Sequence, residues 1–404
     1  MSTTLFEPAA PLAAPDVHPL PVPGAATALL DDYRGGPDRF LATPHRTLLA
    51  RGTAEEVPHD DRRLARRVGE LLSARRRTGD PAPIVVGSVP FAPDAPAALA
   101  VPETVQWAPP LREDPLTALP APPAEDLAWQ LAEVPSAGAF GAAVAAAVAR
   151  LRNGELDKVV LARTLELTGA REPDLPAMLN RLARRDPAGY TFAVPSGPGR
   201  TLLGASPELL VSRSAGHLVA NPLAGSAPRS ADLAEDVRRA AALLDSAKDL
   251  HEHAVVVDAV RSALAPFCAH LDVPDRPTLV RTATMWHLST TVTGTLADPT
   301  ATALELASAL HPTPAVCGTP TATARQVIAA SEPFARGPYT GMVGWQDADG
   351  DGEWVVTIRC AEAHGRTLRL FAGAGVVADS TPEAETAETA AKFRTFLTAV
   401  GAAR

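Results

Sequence analysis

The stretch "LDKVVLART" (156–164) places a lysine among apolar residues, and lysine is scarce in this chain. Of 37 Lys and Arg residues only three are Lys: Lys158, Lys248 and Lys392. A guanidinium stays protonated, whereas a partly buried amine can shed its proton near neutral pH, so Lys158 is a candidate general base. The plainer reading is that three surface lysines survive in an Arg-biased chain. In "GASPELLVSR", Glu208 follows Pro207 at the start of a strand. A carboxyl among apolar neighbours can rise in pKa and act as a general acid, or it can be an ordinary strand-edge glutamate. In "SAKDLHEHAVVVDAVRSAL" a helical stripe of Leu250, Ala254, Val257, Val260 and Leu264 faces the core, and Glu252 lies off it. In "DSTPEAETAETAAKFRTFL", Thr381 is the expected N-cap and Pro382 the first helical residue. Glu385, Glu388 and Lys392 then share one narrow arc of that helix. Taken alone they make a solvated face, with a Glu388–Lys392 pair worth roughly 0.2–0.5 kcal/mol. Brought together, Glu252 and Glu388 could hold Mg²⁺, which takes one or two carboxylates plus waters and substrate oxygens. A zinc site at His251 and His253 is weak, because i,i+2 imidazoles diverge on a helix. Arg359, inside the apolar run "VVTIRCA", needs an anion, either a structural carboxylate or a substrate carboxylate. Gly373 and Gly375 in "FAGAGVV" could let backbone amides approach an anion, although a tight turn is the default for such a pair.

These residues must be positioned by a sizeable fold. The 404-residue chain is 46% hydrophobic but only 4% aromatic, so its core is mostly Ala, Val and Leu. Net charge is −9, which argues against a nucleic-acid partner. Cys268, Cys317 and Cys360 form no CxxC pair, so neither a disulfide framework nor a zinc site is expected, and a reducing cytoplasm suits them. No run of 18 apolar residues exists, so no membrane span is expected, and the Pro-broken N-terminus lacks the basic n-region of a signal peptide. Residues 1–25 are expected to be a flexible Pro-rich lead-in, and 109–124 an irregular stretch. The pattern predicts helices over about 136–153, 232–265 and from Pro382 to about 400. Strands are expected at 157–167, 190–196, 201–206, 208–214, 217–225, 287–296, 340–348, 353–363 and 367–377. On the first of these Lys158, Val160 and Ala162 share a face. Strand runs separated by helices give an α+β fold with large antiparallel sheet layers and surrounding helices.

The segments "KVVLAR", "GASPELL", "NPLAGS", "KDLHEH", "HLST", "HPTPAVCG", "YTGMVGW", "GEWVVTIRCA", "RLFAGAGVVADS" and "ETAETAAK" together resemble the chorismate-utilising enzymes. They span 158–392 in that family's order and are most similar to siderophore-type isochorismate synthases. The resemblance divides the chain into a variable N-terminal portion of the fold (26–130) and a chorismate-binding catalytic region (131–404). It implies that Lys158 deprotonates the water attacking C2 of chorismate and that Glu208 protonates the departing C4 hydroxyl. It implies Mg²⁺ on Glu252 and Glu388, with Glu385 acting through water. Arg359, Lys392 and the Gly373 backbone would contact substrate carboxylates, and Gly225, Ser226, His287, Ala315, Tyr339 and Ile358 would line the pocket. Ala224 stands where aminodeoxychorismate synthases commonly carry a nucleophilic Lys, and Ala315 where salicylate synthases typically have Thr. Ala224 implies water as the nucleophile, which fits isochorismate or salicylate formation, and Ala315 favours isochorismate over salicylate. The alternatives are a salicylate synthase, a menaquinone-pathway isochorismate synthase, an aminating subunit and a non-catalytic homologue. A cytoplasmic monomer without a glutaminase subunit is expected.

Overall fold

Short apolar runs build two antiparallel sheets that pack face to face. The computed structural model describes residues 22–402, so residues 1–21 of the expected lead-in lie outside the described residues. Among the described residues one sheet has ten strands, the second nine, and a small third sheet three. Leu41, Phe192, Val194 and Leu202 of the ten-stranded sheet meet Val86, Leu209, Val343 and Val355 of the nine-stranded one. The helices Ala25–Asp31, Leu175–Arg185 and Pro382–Ala399 cover the outer face of the first sheet. Leu64–Arg77, Ala247–Leu264 and Ala303–Leu310 cover that of the second. The N-terminal portion contributes to both layers. Its strands Arg39–Ala42, Thr47–Arg51 and Thr104–Ala108 extend the larger sheet, while Glu55–Glu56, Ile84–Val89 and Ala98–Val101 extend the other.

Three of the expected strands are each broken in two, because the chain passes from one sheet to another. His217–Asn221 lies in the nine-stranded sheet and, after Pro222, Leu223–Pro228 joins the small one. A proline has no N–H to offer a ladder, so pairing ends there. Met285–Ser289 and Val292–Leu296 make the reverse passage. Gly352–Val356 leaves the nine-stranded sheet and Cys360–His364 enters the ten-stranded one, with Arg359 between them at φ 49°. "GASPELL" makes the same crossing: Arg200–Ser206 and Leu209–Ser214 belong to different sheets, and Pro207 and Glu208 bridge them. Two crossings bond to each other, with Ala205 N–H donating to Arg359 O (3.1 Å) and Val356 N–H to Glu208 O (3.1 Å).

The helix expected over 232–265 is also two helices, Leu233–Asp245 and Ala247–Leu264. Ser246 breaks it: its backbone is extended, and its side chain accepts from Asp249 N–H as the N-cap of the second helix. The break sets Lys248 and Glu252 on the opening turns of a helix that starts beside the sheet crossings.

Candidate active site

The crossings line a cleft that opens to solvent. Glu208, Ile358 and Arg359 line it from two crossing segments, and Ala224, Gly225 and Ser226 from a third. His287, Ala315 and Tyr339 add further wall, as do Gly373, Glu252, Glu388 and Lys392. The cleft thus gathers all the site residues read from the sequence except Lys158 and Glu385, which stand directly behind this lining.

The three lysines of the chain all meet here, each against a glutamate. Lys158 lies 2.8 Å from Glu252 Oε1, and its side chain is 2% exposed. Lys392 lies 2.5 Å from Glu388 Oε1 and donates to Gly373 O at 2.8 Å. Lys248 lies 3.5 Å from Glu385 Oε1. Strand Lys158–Thr168 pairs with Thr367–Val376 so that Val160 faces Gly375 and Ala162 faces Gly373. Side chains of cross-strand partners share a face, so Lys158 and Val160 project towards the cleft over those glycines. Gly373 and Gly375 therefore lie inside a strand, not in a turn, and their missing side chains make room. A Cβ at 375 would stand 2.5 Å from Glu252 Oε1 and 3.1 Å from Lys158 Cε, and one at 373 would stand 2.8 Å from the Tyr339 hydroxyl.

Burial drives the Glu252 carboxyl up, but Lys158, supported by Lys392 and Lys248, outweighs it and holds the group below its ordinary pKa. Glu385 is pushed up by burial and by Glu388, against a Ser380 hydrogen bond and Lys248. Glu208 is buried outright, and desolvation raises it to about 7 despite a hydrogen bond from Leu223 N–H and the charges of Lys158, Arg359 and Lys392. It is the group best matched to give up a proton near neutrality. Burial lowers the Arg359 guanidinium somewhat, opposed by Glu388, Tyr339 and Glu208. No carboxylate ion-pairs with Arg359 among the described residues, so its charge is free for an anion in the cleft. Desolvation, with Arg359 and Lys392 nearby, holds His287 well below its ordinary pKa. The ring is neutral, and its buried Nε2 has no hydrogen-bond partner. Arg359 (φ 49°) and Thr340 (φ 56°) both adopt the left-handed region, which costs a non-glycine residue about 1–3 kcal/mol and collects at functional sites.

Among the described residues no three of His, Cys, Asp and Glu stand close enough to hold a metal ion by themselves. Glu252 and Glu388 nevertheless both face the cleft. As hard oxygen donors they fit a Mg²⁺ ion that completes its shell with water and substrate oxygens. Glu385 is turned towards Lys248, behind this pair. His253 does not face a metal: its ring nitrogens lie 3.2 Å from Ala224 O and 2.7 Å from Thr290 Oγ1.

Several lining residues carried no local signal in the sequence. Asp249 reaches the cleft only because the helix starts at Ala247. Phe371 stacks on Tyr339, with centroids 4.8 Å apart and planes 8° from parallel. Val316 and Thr340 flank Ala315 and Tyr339 in the wall. Lys248 was discoverable from the rarity of lysine.

A two-layer antiparallel fold, crossed at a cleft that combines free cationic charge with a neutral-range acid, is the architecture of an enzyme for small polyanions. The chain belongs to the chorismate-binding enzymes: the family model "Chorismate binding enzyme" matches residues 106–401. It is 53% identical over 390 residues to isochorismate synthase DhbC of Bacillus subtilis (strain 168), covering 93% of this chain and 96% of that one. It is 42% identical to the vibriobactin-specific isochorismate synthase of Vibrio cholerae serotype O1, covering 90% of this chain and 91% of that one. The crystal structure of DhbC from Bacillus anthracis matches with a TM-score of 0.88 at 46% identity, over 94% of this chain and all (100%) of that one. No helix among the described residues is long and apolar enough to cross a membrane.

Proposed function

We infer that this protein is an isochorismate synthase, an isomerase that exchanges the C4 hydroxyl of chorismate for one at C2 and so supplies the precursor of 2,3-dihydroxybenzoate for a siderophore. The observation that carries this is the pair gathered at the cleft: the strand-borne Lys158 amine, 2.8 Å from Glu252, and the neutral-range acid Glu208 at a sheet crossing. Lys158 takes a proton from the water whose oxygen bonds to C2. The ring double bonds each shift by one position, the C4–O bond breaks, and Glu208 protonates the departing hydroxyl as it leaves as water. One water is consumed and one released, so the conversion is an isomerisation. Arg359 and Lys392 bind substrate carboxylates, and the stacked Tyr339–Phe371 pair supports the wall. At 224 the side chain is a methyl in the cleft wall, which offers no amine to attack C2 and leaves room for water as the nucleophile, and no glutaminase subunit is expected.

We also propose that Glu252 and Glu388, with Glu385 through water, hold Mg²⁺. When bound, Mg²⁺ would neutralise and orient a substrate carboxylate. The cleft-facing oxygen donors and the space at Gly375 support this. The enzyme is proposed to act as a cytoplasmic monomer, which its three free thiols suit. Incubation with chorismate and Mg²⁺, followed by chromatographic separation of products, tests the activity. Light scattering of the purified protein tests the monomer.

A further inference from the structure

A second charged cluster lies behind the cleft wall, and no step of the proposed reaction uses it. Arg336 and Glu332 form an ion pair in which each side chain is 3% exposed. It is bidentate, with Nη2 to Oε1 at 2.5 Å and Nε to Oε2 at 2.8 Å. The other guanidinium hydrogens reach Val160 O (2.8 Å), Val316 O (2.8 Å) and Thr340 Oγ1 (3.2 Å), so all five are used. Glu332 Oε1 also accepts from Ala162 N–H at 2.9 Å. The Arg336 guanidinium lies over the Phe91 ring at 4.7 Å.

The groups this pair grips belong to three pieces of the cleft wall. Val160 and Ala162 sit on the strand of Lys158, and Val316 follows Ala315. Thr340 follows Tyr339 and holds a left-handed backbone, fixed also by its N–H on Thr357 O (2.8 Å) and by His311 Nε2 on its carbonyl (2.7 Å). Three segments far apart in sequence are thus tied at one guanidinium. A buried ion pair is a weak source of net stability, since apolar residues of similar volume often replace it without loss. Its selective consequence is geometric.

We propose that Glu332 and Arg336 are positioning residues, which set the Ala315–Val316 and Tyr339–Thr340 walls in register with the Lys158 strand so that the cleft fits chorismate. The proposal rests on the chorismate reading of the cleft. The test compares the wild type with Arg336→Lys and with the double variant Glu332→Leu/Arg336→Met, which removes both charges at similar volume. Steady-state kinetics with chorismate, melting temperature and hydrogen exchange by mass spectrometry are measured on each. The expected result is a KM raised at least tenfold in both variants, with a smaller change in kcat, because wall contacts bind ground state and transition state alike. Exchange should rise in peptides covering 158–162, 315–316 and 339–340 and not elsewhere. A double variant with wild-type KM and unchanged exchange overturns the proposal. If the double variant does not fold, Arg336→Lys decides by the same two readouts. If the wild type does not turn over chorismate, the functional reading fails, and the exchange pattern alone still decides whether the pair ties the three walls.

Discussion

Glu208→Gln should make the protein more stable at pH 8 while disabling it. The Glu208 carboxyl has an ordinary pKa of 4.5 and is raised to about 7 by burial in the folded chain. The folded state therefore binds the proton more tightly than the unfolded state. Stability from this group is full below about pH 4.5 and is lost as pH rises to about 7, above which the loss is complete. A shift of this size corresponds to about 3 kcal/mol, at 1.36 kcal/mol per pKa unit. Glutamine has nearly the same shape, can still accept from Leu223 N–H, and carries no charge to bury. An unfolding entropy of about 2.1 cal/mol/K per residue gives roughly 0.85 kcal/mol/K for a chain of this length, so the effect is about 3–4 °C in Tm. Calorimetry at pH 4.5 and pH 8 reads it: the Tm of the variant relative to wild type should climb by that amount between the two. All other titrations are shared by both proteins and cancel in the difference. The same substitution removes the proton donor, so turnover should fall roughly 10²–10⁴-fold. In the wild type kcat/KM should decline above about pH 7 as Glu208 ionises, and the residual activity of the variant should lack that limb. A pH-independent Tm difference, or a variant that retains turnover, would refute the reasoning.

Lys158→Arg keeps a cation beside Glu252 but cannot take a proton, so chorismate binding should persist while turnover falls roughly 10²–10⁴-fold, as read by calorimetric binding and product formation. Near-normal turnover would leave Lys158 as charge only. Glu252→Gln and Glu388→Gln should each abolish metal-dependent turnover, and full activity of both variants in EDTA would end the metal proposal. The two should differ in stability. Glu252→Gln strands a Lys158 side chain that is 2% exposed, at a cost of up to about 3–5 kcal/mol, whereas Lys392 keeps its bond to Gly373 O when Glu388 changes. Melting curves separate them. Gly375→Ala places a methyl 2.5 Å from Glu252 Oε1, and the misplaced carboxylate should cost about 10²-fold in kcat, while an active variant would mean that Glu252 need not sit where it does. Deleting the gene should impair growth under iron limitation, with rescue by 2,3-dihydroxybenzoate, and a defect rescued only by a menaquinone precursor would move the enzyme to the other pathway.

Much of this site was legible because its chemistry is written in residue types. Lysine stands out where arginine is the usual basic residue, and an arginine inside an apolar run signals a site for an anion. The sheet layers followed from short apolar runs separated by helical segments. The crossing at Ile358 and Arg359 did not, because Thr357 before it and Cys360 after it are both buried, so the run of buried residues hardly pauses where the chain changes sheet. The helix break at Ser246 was hidden because serine is tolerated inside helices, and only its bond to Asp249 N–H reveals a cap. Glu252 lies off the apolar stripe as expected, yet it is held against a buried lysine rather than by water, which no helical wheel could display. Glu332 and Arg336 have the spacing of an ordinary surface i,i+4 pair, and their burial depends on strands more than 150 residues away, at Val160 and Ala162.

The product of the reaction is the most direct test of the proposed activity. The purified protein should be given chorismate and Mg²⁺ without ammonia at neutral pH, and the mixture resolved chromatographically from the earliest times. Isochorismate should appear first and approach an equilibrium that is also reached when isochorismate is the starting material. Salicylate and pyruvate as the main products from the outset, or turnover only when ammonia is supplied, would contradict it.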